Sequence, residues 1–128
     1  MKTSEKKELY RTAQSLLERA YAPYSGFRVA AALLSKSGKV YTGVNVENAS
    51  FGATICAERT ACVSAVTDGE REFAAIAIAS SKGTPWPCGI CRQFLMEFSK
   101  DMVVITGSDE EHLEEMPLRE LLEKGFTL

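Results

Sequence analysis

Three runs decide the fold of this chain: Thr54-Ile55-Cys56-Ala57-Glu58-Arg59-Thr60-Ala61-Cys62, then Phe73-Ala74-Ala75-Ile76-Ala77-Ile78-Ala79-Ser80, then Trp86-Pro87-Cys88-Gly89-Ile90-Cys91-Arg92-Gln93. The first predicts a helix from Thr54 to Thr67, the second a buried strand, and the third a helix from about Cys88 to Phe98. Met102 to Thr106 reads as the next apolar strand. Strand, loop, helix and strand thus follow one another twice. Segments of this length permit crossovers, which predicts a central sheet with helices on both faces.

Working outward, Phe27 to Ser35 and Lys39 to Glu47 flank the turn signal Ser37-Gly38 and read as a hairpin. A period of two puts Tyr41, Gly43, Asn45 and Glu47 on one face of the second strand. Towards the N-terminus, Leu9, Ala13, Leu16, Leu17 and Ala20 have helical spacing, giving an amphipathic helix from Thr3 that Pro23 and Gly26 terminate. Towards the C-terminus, Gly107 to Glu111 is too short for a crossover. His112 to Met116 therefore predicts an antiparallel strand, with Pro117 opening a short last helix to about Lys124.

With 128 residues, 45% hydrophobic and 25% charged, the chain reads as one domain spanning residues 1–128 with one buried core. No long apolar run or leader pattern is present, so the expected location is cytoplasmic, with no membrane partner. A formal charge of -2 with scattered Lys and Arg argues against a nucleic-acid surface.

The four cysteines read as ligands or nucleophiles rather than a disulfide framework. Cys88 and Cys91, at i and i+3, share a helix face and can reach one ion. At a helix N-terminus side chains tilt backward, so Cys56 can reach an ion on the axis while Glu58 approaches from beside it. Two helix N-termini favour thiolates, and three such ligands fit one zinc ion with an open fourth position, as in catalytic sites. Three thiolates leave that centre at net -1. Arg59, i+3 from Cys56, is the preferred cation to offset it, ahead of Arg92.

Four motifs carry a family resemblance: Ala22-Pro23-Tyr24-Ser25-x-Phe27, Gly43-x-Asn45-Val46-Glu47-Asn48-Ala49, Cys56-Ala57-Glu58-Arg59-Thr60-Ala61 and Pro87-Cys88-Gly89-x-Cys91-Arg92-Gln93. The chain resembles the cytidine deaminase family in its short homotetrameric form. The resemblance implies a three-layer α/β/α fold with a mixed five-stranded sheet, and one zinc ion per subunit. It also implies hydrolysis of cytidine and deoxycytidine to uridine, deoxyuridine and ammonia, a pyrimidine salvage reaction. In that chemistry Glu58 takes a proton from the attacking water, passes it to ring N3, and later protonates the departing ammonia. Asn45 and Glu47 look like the ribose readers, Phe27 like the aromatic against the pyrimidine, and the Ala57 N–H like the donor to the base. Phe51 and Phe126 match positions that reach a neighbouring subunit. Trp86 stands where the family has Ser or Thr, and Phe51 where it commonly has Tyr.

Each choice has a plainer competitor. Cys88 and Cys91 alone could be a redox pair, and a closed structural zinc would need Cys62. That residue lies about 240° around the helix from Cys56, and reads as a buried hydrophobe. Glu58 could be a solvated first-turn acid, Asn45 and Glu47 polar residues on a wet face, and Phe27 core. His112 reads as solvent-facing. The competing functions are a deaminase of another aminopyrimidine such as blasticidin S, a polynucleotide deaminase, and a zinc-stabilised binding module without catalysis.

Overall fold

A computed structural model describes all residues from Met1 to Leu128. Its five strands are β1 (Val29–Ser35), β2 (Val40–Val44), β3 (Phe73–Ser80), β4 (Val103–Gly107) and β5 (Leu113–Pro117). They form one sheet in the order β2-β1-β3-β4-β5. The hairpin partners β1 and β2 are antiparallel, as are β1 and β3, and β4 and β5; β3 and β4 are parallel. The helices are α1 (Thr3–Gln14), α2 (Ala57–Thr67), α3 (Gly89–Met96) and α4 (Leu118–Leu121). Both expected crossovers are present, β2-α2-β3 passing over β1 and β3-α3-β4 joining neighbours.

Alternation along β3 explains the layering. Ala75, Ala77 and Ala79 face one side, where they join Ala30, Ala32 and Ile105 against Leu9, Tyr10 and Ala13 of α1. Ile76 and Ile78 face the other side, with Leu33, Val104, and the α2 residues Ala57, Ala61 and Cys62. Alanine on five of the sheet positions lets α1 lie close to the backbone, and larger aliphatics fill the thicker layer beneath α2, α3 and α4. Cys62 is buried there as a small hydrophobe, and burial pushes its thiol up to about 11.

Four boundaries differ from the sequence reading for physical reasons. The first helix stops at Gln14, where the Ser15 hydroxyl donates to the Thr12 carbonyl at 2.8 Å. A 3₁₀ turn over Leu17–Arg19 follows, and its period of three keeps Leu17 and Ala20 in register, so it mimics continued helical spacing. The hairpin is shorter than expected, with β2 ending at Val44. There the Asn45 side chain replaces a rung of the ladder, its Oδ1 accepting from Val29 N–H at 2.9 Å and its Nδ2 donating to the Phe27 carbonyl at 2.8 Å.

Beyond Asn45 the chain changes partners. Val46 exchanges both backbone hydrogen bonds with Ile55 at 3.0 Å, and Glu47 N–H donates to the Tyr21 carbonyl at 2.8 Å. Thr54 and Ile55 are thereby extended rather than helical, and α2 begins at Ala57 with Cys56 as its N-cap. At the C-terminus Pro117 ends β5 and caps α4, which stops at Leu121 rather than near Lys124.

Candidate active site

Cys56 and Cys88 hold equivalent positions, each the N-cap of a helix in extended conformation with its side chain left out of capping. The first intrahelical bond of α2 runs from Thr60 N–H to the Cys56 carbonyl at 3.1 Å, and that of α3 from Arg92 N–H to the Cys88 carbonyl at 3.0 Å. The earlier N–H groups of both helices therefore have no intrahelical acceptor. The two helix ends bring three sulfurs together: Cys56, Cys88 and Cys91 Sγ all lie within 4.8 Å of one another, with Cys56 and Cys88 Sγ 3.8 Å apart. Zn–S bonds of about 2.3 Å in tetrahedral geometry place sulfurs about 3.8 Å apart, so this donor set fits one zinc ion.

The cluster is electrostatically divided. The Cys91 thiol beside it, the Arg59 guanidinium and Cys88 together hold Cys56 as a thiolate, down to about 5 against the cost of burial. Cys91 is pushed well up by its hydrogen bond to that thiolate and by burial, so the metal-free cluster keeps a proton on Cys91. Arg59 Nη2 lies 3.6 Å from Cys56 Sγ, whereas Arg92 turns away from sulfur and donates to the Pro87 and Leu121 carbonyls at 2.7 and 2.8 Å.

Glu58, in the first turn of α2, is 4% exposed. Burial raises its carboxyl to about 7, and the Cys56 thiolate adds to the effect; its own backbone N–H and Arg59 oppose it. The solvated first-turn reading of this residue is thereby excluded.

A cavity of about 380 Å³ opens above these groups, within the range of small-molecule sites. Cys56, Glu58 and Cys88 form its reacting end, Asn45, Glu47, Ser25 and Thr54 its polar wall, and Phe27, Val29, Ile55, Ala57, Pro85 and Trp86 its apolar lining. Phe27 is 39% exposed, so it is wall and not core. Glu47 Oε1 accepts from the Tyr24 and Ser25 N–H groups at 2.9 and 3.1 Å, and Oε2 from the Ser25 hydroxyl at 2.5 Å. Those bonds, chiefly the hydroxyl, hold the carboxylate below its usual range.

Cys91 and Arg59 lie behind the lining, in the sulfur cluster, and two further sequence candidates lie outside both. Phe51 packs edge-on against Tyr24, with ring centroids 5.6 Å apart, and is 73% exposed beside an adjoining cleft. Phe126 is 67% exposed and anchored through its backbone to Gln93. His112 is solvent-facing and bonded to Asp109. Sequence reasoning gave no role to Ser25, Thr54 or Ile55, although Tyr24-Ser25 sat inside a motif already singled out.

The fold and this thiolate cluster beside a buried carboxylate define a zinc-dependent α/β enzyme. Residues 3–106 match the family described as the cytidine and deoxycytidylate deaminase zinc-binding region. The chain belongs to that family. A cytidine deaminase of Halalkalibacterium halodurans is 45% identical over 121 residues, covering 93% of this chain and 92% of the relative. A probable cytidine deaminase of Dictyostelium discoideum is 50% identical over 99 residues, covering 76% of this chain and 67% of the relative. The crystal structure of a Burkholderia pseudomallei cytidine deaminase superposes with a TM-score of 0.87 at 43% identity, covering 93% of this chain and 97% of that one.

Proposed function

We propose that this chain hydrolyses the amino group from free cytosine nucleosides, converting cytidine or deoxycytidine and water to uridine or deoxyuridine and ammonia. The observation that carries this reading is the Glu58 carboxylate, buried at the thiolate end of a cavity whose other wall holds Asn45 and Glu47. That burial and that cavity also speak against a binding module without catalysis. The relatives' names as cytidine deaminases leave nothing to favour another aminopyrimidine.

Cys56, Cys88 and Cys91 would hold the zinc ion. A zinc ion with three protein ligands supplies Lewis acidity at its open position and lowers the pKa of water. The remaining work falls to the chain. Glu58 accepts one proton of the attacking water and delivers it to ring N3, then takes the remaining proton of the new C4 hydroxyl and passes it to the amino nitrogen, which leaves as ammonia as the C4 carbonyl forms. Arg59 offsets the thiolate charge, and free N–H groups at the start of α2, Ala57 first, face the base oxygen.

At the sugar end, the Asn45 amide spends one acceptor and one donor site on backbone and keeps one of each. Glu47, fixed by Tyr24 and Ser25, keeps free lone pairs. Together they can accept from and donate to the 3'-hydroxyl, a contact that serves both sugars, while Phe27 covers the ring. The exposed aromatics Tyr24, Phe51 and Phe126 support assembly into a homotetramer in which Phe51 and Phe126 approach a neighbouring site. No helix is long and apolar enough to cross a membrane, and we place the activity in cytoplasmic pyrimidine salvage.

The test is loss of the cytosine ultraviolet band with zinc-loaded protein, across cytidine, deoxycytidine, cytosine, CMP and blasticidin S. Turnover of the two nucleosides, absent in Glu58→Gln, is expected. No turnover of either by the parent protein rejects the reading.

A further inference from the structure

The loop that delivers Cys88 is held by two side chains from elsewhere. The buried Thr106 hydroxyl at the end of β4 donates to the Pro85 carbonyl at 2.6 Å. Arg92 Nε donates to the Pro87 carbonyl, immediately before Cys88, at 2.7 Å. The other arm of the same guanidinium, Nη1, donates to the Leu121 carbonyl at the end of α4 at 2.8 Å. One planar group therefore bridges the cysteine loop and the C-terminal segment.

That segment is docked on α3 at two further points. Gln93 Nε2 donates to the Phe126 carbonyl at 2.7 Å, and Phe126 N–H donates back to Gln93 Oε1 at 3.3 Å. Gly125 lies so close to α3 that a Cβ there would come within 2.9 Å of Met96 Cε and of Leu122 Cδ2. Arg92, Gln93 and Met96 follow Cys91 on the same short helix. These three hydrogen bonds of the tail are thus all made with the element that presents the third sulfur.

We infer that Arg92 is a positioning residue for the metal centre, and that the C-terminal segment from Leu121 to Phe126 is part of the centre's support through it. A guanidinium suits the task because its rigid fork fixes two carbonyls at once; a lysine in its place satisfies one of them. Docking of the tail sets Arg92, Arg92 sets the Pro87 carbonyl, and the Pro87–Cys88 peptide sets where the sulfur points. The inference rests on the zinc centre proposed above.

The test is cobalt(II) titration of the metal-free protein, reading the thiolate charge-transfer band, the ligand-field bands and the dissociation constant. It uses the parent chain, Arg92→Gln, Arg92→Lys, Gly125→Leu, and Arg92→Gln combined with Gly125→Leu. Arg92→Gln is expected to weaken cobalt and zinc binding by about 10–100-fold and to shift the ligand-field bands. Arg92→Lys is expected to recover part of that loss. Gly125→Leu, which touches no sulfur, is expected to weaken binding in the same direction, and the double variant to lose no more than the worse single one, because both break one linkage.

Unchanged affinity and spectra in Arg92→Gln and Arg92→Lys, with only a lowered Tm, would make Arg92 a plain structural clamp and overturn the inference. Additive losses in the double variant would separate the tail from the centre. If Arg92→Gln does not fold, Arg92→Lys and Gly125→Leu decide alone. A parent protein with no thiolate–cobalt band removes the metal centre itself, and the inference with it; a parent that binds beside variants that bind equally well removes only the role of Arg92.

Discussion

Arg59 reaches back along one turn of α2 to place Nη2 3.6 Å from Cys56 Sγ, while its buried Nε has no protein partner. No carboxylate competes for this guanidinium among the ion pairs of the fold. Its charge is therefore committed to the sulfur cluster. Arg59→Gln is expected to lower zinc affinity by about 10–100-fold and to slow turnover of whatever metal-loaded protein remains. Zinc retained through dialysis against a chelator, together with the rate per bound zinc, measures both. Parent values for the two would remove Arg59 from the centre.

Glu58→Gln separates chemistry from metal binding. Loss of a proton-transfer group is expected to cost about 10²–10⁴ in rate, with zinc content unchanged. In the metal-free protein the same substitution has a second signature. The carboxyl of Glu58 is raised from 4.5 to about 7, chiefly by burial. The folded state thus holds its proton more tightly than the unfolded state. The resulting contribution to stability is present below the unfolded value and is lost as pH rises through the folded value. Urea unfolding of metal-free samples should show the variant more stable than the parent at about pH 8, by at most on the order of 3 kcal/mol. The two curves should meet at acid pH; a parent stability flat across this range would contradict the buried acid.

Gly43 sits under α2 so closely that a Cβ would come within 2.6 Å of the Ala57 carbonyl oxygen and 2.8 Å of Thr60 Cβ. Helix and strand must separate to admit even one methyl group. Gly43→Ala is expected to cost about 1–3 kcal/mol of stability. Because Ala57 opens the helix that carries Cys56 and Glu58, it is also expected to reduce kcat more than it raises KM. A thermally unaltered variant with parent kinetics would show that the contact is not tight.

Asn45→Ala leaves the Val29 N–H and the Phe27 carbonyl without the amide that joins them. Stability is expected to fall by about 1–3 kcal/mol, and KM for cytidine to rise. Asn45→Asp keeps the acceptor to Val29 but sets a carboxylate oxygen against the Phe27 carbonyl in a buried site, so it too is expected to fall below the parent. Denaturation midpoints rank the three proteins, and an Asn45→Ala chain as stable as the parent would argue against the ladder role.

Far from the cavity, Tyr41 donates its phenol hydrogen to Asp68. That bond, the largest cause, moves the phenol from 10.0 to about 12, while it and Lys39 hold Asp68 below its usual range. The stabilisation from Tyr41 is therefore full below pH 10.0 and is lost as pH rises through about 12. Spectrophotometric titration of tyrosine should lose its late component in Tyr41→Phe. Tyr10, raised mainly by burial, should still titrate late in that variant. A titration curve unchanged by Tyr41→Phe would count against the pairing.

Much of this architecture is legible in residue order, because β3 writes its two faces as alternating alanine and isoleucine. The Cys88 to Cys91 spacing likewise announces a shared helix face. Cys56 is legible once its helix end is considered, and the structure makes it an N-cap rather than a residue within a helix starting at Thr54. Other features depend on partners remote in sequence. Nothing near Asn45 reveals that its amide would take over from β2, since Val29 and Phe27 lie across the hairpin. Arg92 reads as a sulfur partner second to Arg59 until α4 brings the Leu121 carbonyl within reach. Ser25 is one of several small polar residues before a glycine, and only its approach to Glu47 singles it out. The antiparallel pairing of β1 with β3 is likewise invisible locally, because both strands are apolar throughout and carry no mark of direction.

Cys56 and Cys88 are 32 residues apart, and the chain between them includes all of β3, the middle strand of the sheet. An ion gripping both sulfurs would turn that segment into a closed ring of polypeptide that contains the central strand. Shutting such a ring in the unfolded chain costs entropy that grows only slowly with its length. Metal loading therefore acts as a reversible cross-link on folding as well as an aid to chemistry, and chelation would cut the ring open at the two points where catalysis is anchored.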